Sequence, residues 1–181
     1  MKFIETKLKG CFILEPKIFE DERGYFMESF NQSVFEKGIG QKIQFVQDNQ
    51  SRSSYGVVRG LHYQIGKNSQ AKLVRVLKGR VMDVAVDLRP ESPTFGQHIS
   101  CELSADNRIQ MFIPRGFAHG FSVLSKSAEF FYKCDNYYNK GAEAGIVYND
   151  SSLDIDWGIE AADILVSPKD LELPSVQSAL I

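Results

Sequence analysis

At 181 residues and 20.4 kDa, with 43% hydrophobic and 24% charged side chains, the chain has material for one well-buried core and the composition of an ordinary globular protein, so a single domain over 1–181 is expected. A formal net charge of -2, a pI of about 5.9 and no basic stripe argue against a nucleic-acid partner. Charges at Lys2, Glu5, Lys7 and Lys9 interrupt the N-terminal apolar residues and no apolar run is long enough for a bilayer, so neither a secretory core nor a membrane span is expected and the location reads as cytoplasmic.

Turn signals recur at short intervals, at Lys9-Gly10, Glu22-Arg23-Gly24, Lys78-Gly79, Pro90-Glu91-Ser92-Pro93 and Lys140-Gly141. Between them, runs rich in Val, Ile, Phe and Tyr predict strands over 11–14, 25–30, 43–47, 73–77, 81–88, 98–103, 110–113, 118–124 and 129–134. A further short strand holds Val58-Arg59-Gly60-Leu61-His62-Tyr63. One helix is predicted over 31–37, with Asn31 as its cap and Gly38 as its stop, and a weak helical turn over 161–164. Many short antiparallel strands with few short helices predict an all-β chain, a double-stranded antiparallel jelly roll with a cavity between its sheets.

Polar residues inside strands are informative. Alternation puts Asp83 on one face with Val81 and Ala85, and Lys72 on one face with Val74 and Val76. Charges on apolar faces are costly unless paired or functional, and the pattern alone leaves strand ends facing solvent as an equal reading. Three widely spaced cysteines, Cys11, Cys101 and Cys134, suggest neither a disulfide framework nor a zinc site. Of the histidines, His62 follows Arg59 and Gly60, while His119 sits between small residues that leave room for a ligand. No His-x-His occurs and position 64 is Gln64, so no metal is expected. Without a metal, His62 is a candidate base, Tyr132 a candidate acid and Lys72 a candidate partner for a developing oxyanion. Arg59 and His62 differ by an odd number, so both reach one cavity only if the strand bulges, for which Gly60 is the natural place.

The strings DERGYFMESF (21–30), FVQDNQSRS (45–53), VVRGLHYQ (57–64), AKLVRVLKGRVMDVAVDLR (71–89), IPRGFAHGF (113–121) and YKCDNYY (132–138) together resemble the dTDP-4-dehydrorhamnose 3,5-epimerase family. Asp154-Ile155-Asp156-Trp157 and Ser167-Pro168-Lys169-Asp170 fit as well, so the resemblance runs from about residue 3 to 174; Tyr148, where the family has tryptophan, departs from it. The resemblance implies a cupin-type jelly roll, a homodimer and an enzyme without cofactor. It implies that His62 is the base, oriented by Asp170, that Tyr132 is the acid, and that Lys72 lies near the sugar C4 oxygen with Asp83 holding it. Arg23, Glu28, Gln47, Asp48, Asn49, Arg59, His119, Glu143 and Lys169 would line the substrate site, with Phe26 and Tyr138 stacking on thymine. Phe3, Phe12 and Phe26 could serve the dimer.

The chemistry implied is inversion at C3 and C5 of dTDP-4-dehydro-6-deoxy-D-glucose. The C4 ketone acidifies both protons. Inversion then needs a base on one face of the ring, an acid on the other and a cation at the enolate oxygen, and the diphosphate calls for guanidinium groups such as Arg23 and Arg59. Two other readings stand beside it: an epimerase of the same fold acting at C3 or C5 alone, and a non-catalytic sugar-nucleotide-binding jelly roll.

Overall fold

A computed structural model describes residues 1–179. In chain order its strands are β1 (Lys2–Glu5), β2 (Phe12–Glu15), β3 (Ile18–Asp21), β4 (Gly24–Met27), β5 (Gln47–Ser54), β6 (Val57–Gln64), β7 (Lys72–Lys78), β8 (Arg80–Asp87), β9 (His98–Ser104), β10 (Gln110–Ile113), β11 (Phe117–Val123), β12 (Ser127–Cys134), β13 (Glu143–Gly145) and β14 (Leu165–Val166). Helix α1 (Gln32–Ile39) follows β4, and the short α2 (Pro168–Leu171) follows β14. One sheet has the order β1-β2-β10-β7-β12-β5 and the other β13-β6-β11-β8-β9, with β14 alongside β6, while β3 and β4 form a separate hairpin. Pairing among the described residues is antiparallel except for β14 on β6. This is the all-β antiparallel jelly roll that the turn spacing predicts.

The core lies where the sheets face each other. Val74, Val76 and Phe130 of one meet Val81, Ala85, Phe121 and Val123 of the other. The Phe121 and Phe130 rings stack at 4.2 Å between centroids, one from each sheet. Burying each such side chain contributes roughly 1.5–3 kcal/mol. On the outer face of the second sheet Val58, Leu61, Val84 and Val86 are covered by Ile146, Leu153, Trp157 and Val176 of the C-terminal region. Phe35 and Ile39 of α1 cover Leu14, Leu73 and Phe112 on the outer face of the first.

Helix α1 starts as predicted, with the Asn31 side chain accepting from the Val34 N–H, but it runs through Gly38 and ends at Gly40, whose φ is 72°. Gly38 is needed for packing instead: a Cβ there would collide with the Phe3 ring. Three differences from the predicted strands matter. The run 43–47 is not a strand; Ile43 and Phe45 pack against the α1 cluster, and pairing begins only at Gln47. The run 25–30 pairs only to Met27. The β5 strand, QDNQSRSS, carries no apolar signal and yet pairs with β12 along its whole length.

Candidate active site

The second sheet supplies two histidines side by side. His62 on β6 is paired with His119 on β11, and Arg59 with Phe121. Three steps along β6 thus face two along β11, which is a bulge containing Gly60. A Cβ on Gly60 would lie 2.6 Å from the Gly120 Cα, so this approach of the strands requires glycine. The bulge shifts the alternation by one residue, and Arg59 and His62 both line a single cavity of about 310 Å³. Lys72 on β7, Asn49 on β5 and Tyr132 on β12 line it from the first sheet.

His62 Nε2 lies 2.8 Å from Asp170 Oδ1. Asp170 is itself held: α2 opens on Ser167, whose hydroxyl accepts from the Asp170 N–H, and the carboxylate also accepts from the Gly60 N–H at 3.4 Å. Burial alone would raise the Asp170 pKa, but the hydrogen bonds and the charge of His62 outweigh it and hold the carboxyl below its ordinary range. The carboxylate therefore orders the imidazole, with the proton on Nε2 and Nδ1 as the basic nitrogen. His119 forms a second pair, Nε2 to Asp83 Oδ1 at 2.8 Å; burial lowers the His119 pKa, against the pull of Asp83. Asp83 thus holds His119 by a hydrogen bond and reaches Lys72, its expected partner, through its charge, and its Oδ2 is buried without a hydrogen-bond partner among the described residues. Lys72 Nζ donates to the His62 carbonyl at 3.5 Å and lies 5.9 Å from the Tyr132 ring centroid. Desolvation pushes the Lys72 ammonium below its usual range and the Tyr132 phenol above its own.

The cavity gathers Asn49, Arg59, His62, Lys72, His119, Tyr132, Tyr138 and Glu143. Arg59 Nε donates to Ser53 Oγ at 2.9 Å, which fixes the guanidinium at the wall. Gln47 stands beside this set, donating to Asn49 Oδ1. Lys169 reaches the rim through Glu143, 2.8 Å away, and this pairing lowers the Glu143 pKa and raises that of Lys169. Asp48 is different: it alternates to the other face of β5 and pairs with Lys133 at 2.9 Å. Arg23 and Phe26 line a different hollow on the β3–β4 hairpin, and the exposed Glu28 accepts from Asn31. Phe3 and Phe12 pack into this chain's own α1 cluster, so of the aromatics expected to serve a dimer Phe26 is the exposed one, at 69%, with its ring tilted against Phe19.

The model of the dTDP-4-dehydrorhamnose 3,5-epimerase family matches residues 5–178. The chain belongs to this family. It is 52% identical over 181 residues to the dTDP-4-dehydrorhamnose 3,5-epimerase of Salmonella typhimurium, covering 100% of this chain and 98% of the relative. The crystal structure of the Elizabethkingia anophelis enzyme superposes with a TM-score of 0.95 at 58% identity, covering 98% of this chain and 97% of that one. That of the Legionella pneumophila epimerase, in complex with dTDP-4-keto-L-rhamnose, superposes with a TM-score of 0.94 at 49% identity, covering 98% and 93%.

Within this epimerase fold, sequence reasoning missed Ser51, Gln64 and Gln70 of the cavity wall, and Ser53 behind Arg59. For Gln64 a signal existed, since it stands two residues after His62 on the same strand. The serines lie in a strand too polar to be recognised as one.

Proposed function

We infer that this protein epimerises C3 and C5 of dTDP-4-dehydro-6-deoxy-D-glucose to give dTDP-4-dehydro-L-rhamnose, for dTDP-L-rhamnose biosynthesis. The observation that carries this is the placement of His62 and Tyr132 on opposite sheets, around one cavity that also holds Lys72. His62, ordered by Asp170, takes the proton from a carbon next to the C4 ketone. The electron pair of that C–H bond moves into an enolate, whose oxygen is met by Lys72. Tyr132 returns a proton from the other face, inverting the carbon. A phenol is protonated near neutral pH, and burial, which raises the Tyr132 pKa, keeps it so; the position of the ring on the sheet opposite His62 is what supports the role. No metal is required for these steps, and activity that survives chelation is expected.

Incubation with substrate in deuterated water tests the reading. Deuterium at both C3 and C5 with inversion is expected. Label at one carbon would mean a narrower epimerase, and none a binding protein.

We further propose a homodimer. The resemblance assigns Arg23, Phe26 and Glu28 to the substrate, yet they stand on or beside an exposed hairpin away from the cavity. A second copy reaching across with that hairpin would reconcile the two. A cytoplasmic location is proposed as well, supported by three free thiols, and cell fractionation tests it.

A further inference from the structure

The cavity mouth contains a clamp that the proton transfers do not use. Gln64 on β6 is 7% exposed and commits both ends of its amide to one backbone position. Its Nε2 donates to the Asn139 carbonyl at 3.0 Å, and its Oε1 accepts from the Asn139 N–H at 2.9 Å. On the opposite wall, Gln47 Oε1 accepts from the Tyr138 N–H at 3.0 Å. The two glutamines belong to different sheets, so residues 138 and 139 are pinned across the mouth from both sides. The Tyr138 hydroxyl is tethered too, donating to Glu143 Oε2 at 2.9 Å. Tyr138 as a whole is 52% exposed. Its backbone and its edge are fixed while its face is open.

An aromatic ring held in this way is a surface prepared for stacking, with its ordering entropy already lost before a ligand arrives. We propose that Gln64 is a positioning residue of the nucleotide site: it fixes the Asn139 backbone so that Tyr138 presents its face to the pyrimidine. This rests on the reading of the cavity as a dTDP-sugar site. Glutamine suits the task because one side chain must donate to a carbonyl and accept from an N–H at fixed spacing. Glutamate lacks the donor, and methionine, of similar length, lacks both groups. Losing the amide removes the partner of the Asn139 N–H and one of the two donors to its carbonyl, which keeps the Ala142 N–H at 3.0 Å, so residue 139 loses its anchor to β6.

Calorimetric titration of the full chain with dTDP tests this, together with steady-state kinetics on the dTDP-sugar. Gln64→Met is expected to weaken dTDP binding about tenfold, the scale of one to two net hydrogen bonds. KM should rise by a similar factor, and kcat should fall by less than KM rises. Tyr138→Ala should also weaken dTDP, and adding Gln64→Met to it should cost nothing more, because the glutamine acts through that ring. Gln64→Glu keeps the acceptor and should lose an intermediate amount; if the methionine variant unfolds, the glutamate variant carries the same cycle. Additive losses, or a Gln64→Met protein that binds dTDP like the wild type, would overturn the proposal. A wild-type protein that takes up no dTDP would instead overturn the reading of the site.

Discussion

His62 and Asp170 are separated by 108 residues and meet at 2.8 Å. The contact fixes the orientation of the ring and leaves Nδ1 as the nitrogen that can accept a proton. His62→Asn should abolish both epimerisation and solvent exchange at C3 and C5, while calorimetry still finds dTDP bound, because Arg59 and Tyr138 remain. Asp170→Asn should reduce kcat by about 10²-fold or more, since an amide can present its N–H to the ring and favour the wrong tautomer. Tyr132→Phe deletes only the hydroxyl. It should leave proton removal intact and impair inversion, most plainly at C5, so that NMR in deuterated water detects exchange without epimerisation. A Tyr132→Phe enzyme that inverts both carbons at the normal rate would reduce Tyr132 to a core aromatic.

Among the elements, β6 matters most to the site, and its bulge depends on Gly60. With φ at 126° and no room for a Cβ, Gly60→Ala should cost about 2 kcal/mol or more and displace His119, seen as a lower urea midpoint and a loss of activity. A second element has a pH signature. The turn after β8 folds around buried Asp87, which accepts from Arg89, Ser92 and Thr94. Burial would raise its pKa, but these donors prevail and bring it from 3.8 to about 2. The folded state therefore favours the carboxylate. Its contribution, about 2 kcal/mol, is complete above the unfolded pKa and is lost as pH falls from about 4 to about 2. Asp87→Asn should flatten that part of the stability profile in urea titrations. The elements also explain what could be read in advance. Strands β7, β8 and β10 announce themselves because at least one of their faces is apolar. Strand β5 does not, because its inward positions, Gln47, Asn49, Ser51 and Ser53, are at or beside a polar cavity instead of core, so burial leaves no hydrophobic trace. The bulge at Gly60 was legible from an odd spacing once resemblance put Arg59 and His62 in one site. The Asp170 contact has no local signal, being made between distant segments, and entered only through resemblance. Asp48 entered the site through resemblance, although alternation sends it to the face of β5 opposite Asn49, where it pairs with Lys133.

For the whole molecule, the proposed dimer makes a quantitative prediction. If Arg23 serves the cavity of the other copy, Arg23→Ala and His62→Asn proteins, each inactive or weak alone, should regain about a quarter of wild-type activity after mixing and subunit exchange. Absence of any recovery, with mixed dimers verified by mass, would place Arg23 outside the site. Within one subunit, the stacked Phe121 and Phe130 rings join the two sheets at 4.2 Å. His62, the proposed base, hangs from one of these sheets and Tyr132, the proposed acid, from the other. The thickness of the sandwich is therefore a stereochemical tolerance: it sets how evenly the two faces of a flat enolate are served. Thinning the spacer with Phe130→Leu should leave a folded enzyme that still breaks C–H bonds, but returns the proton more often to the face it left. Its ratio of solvent exchange to inversion should rise, so that fidelity fails before the fold does.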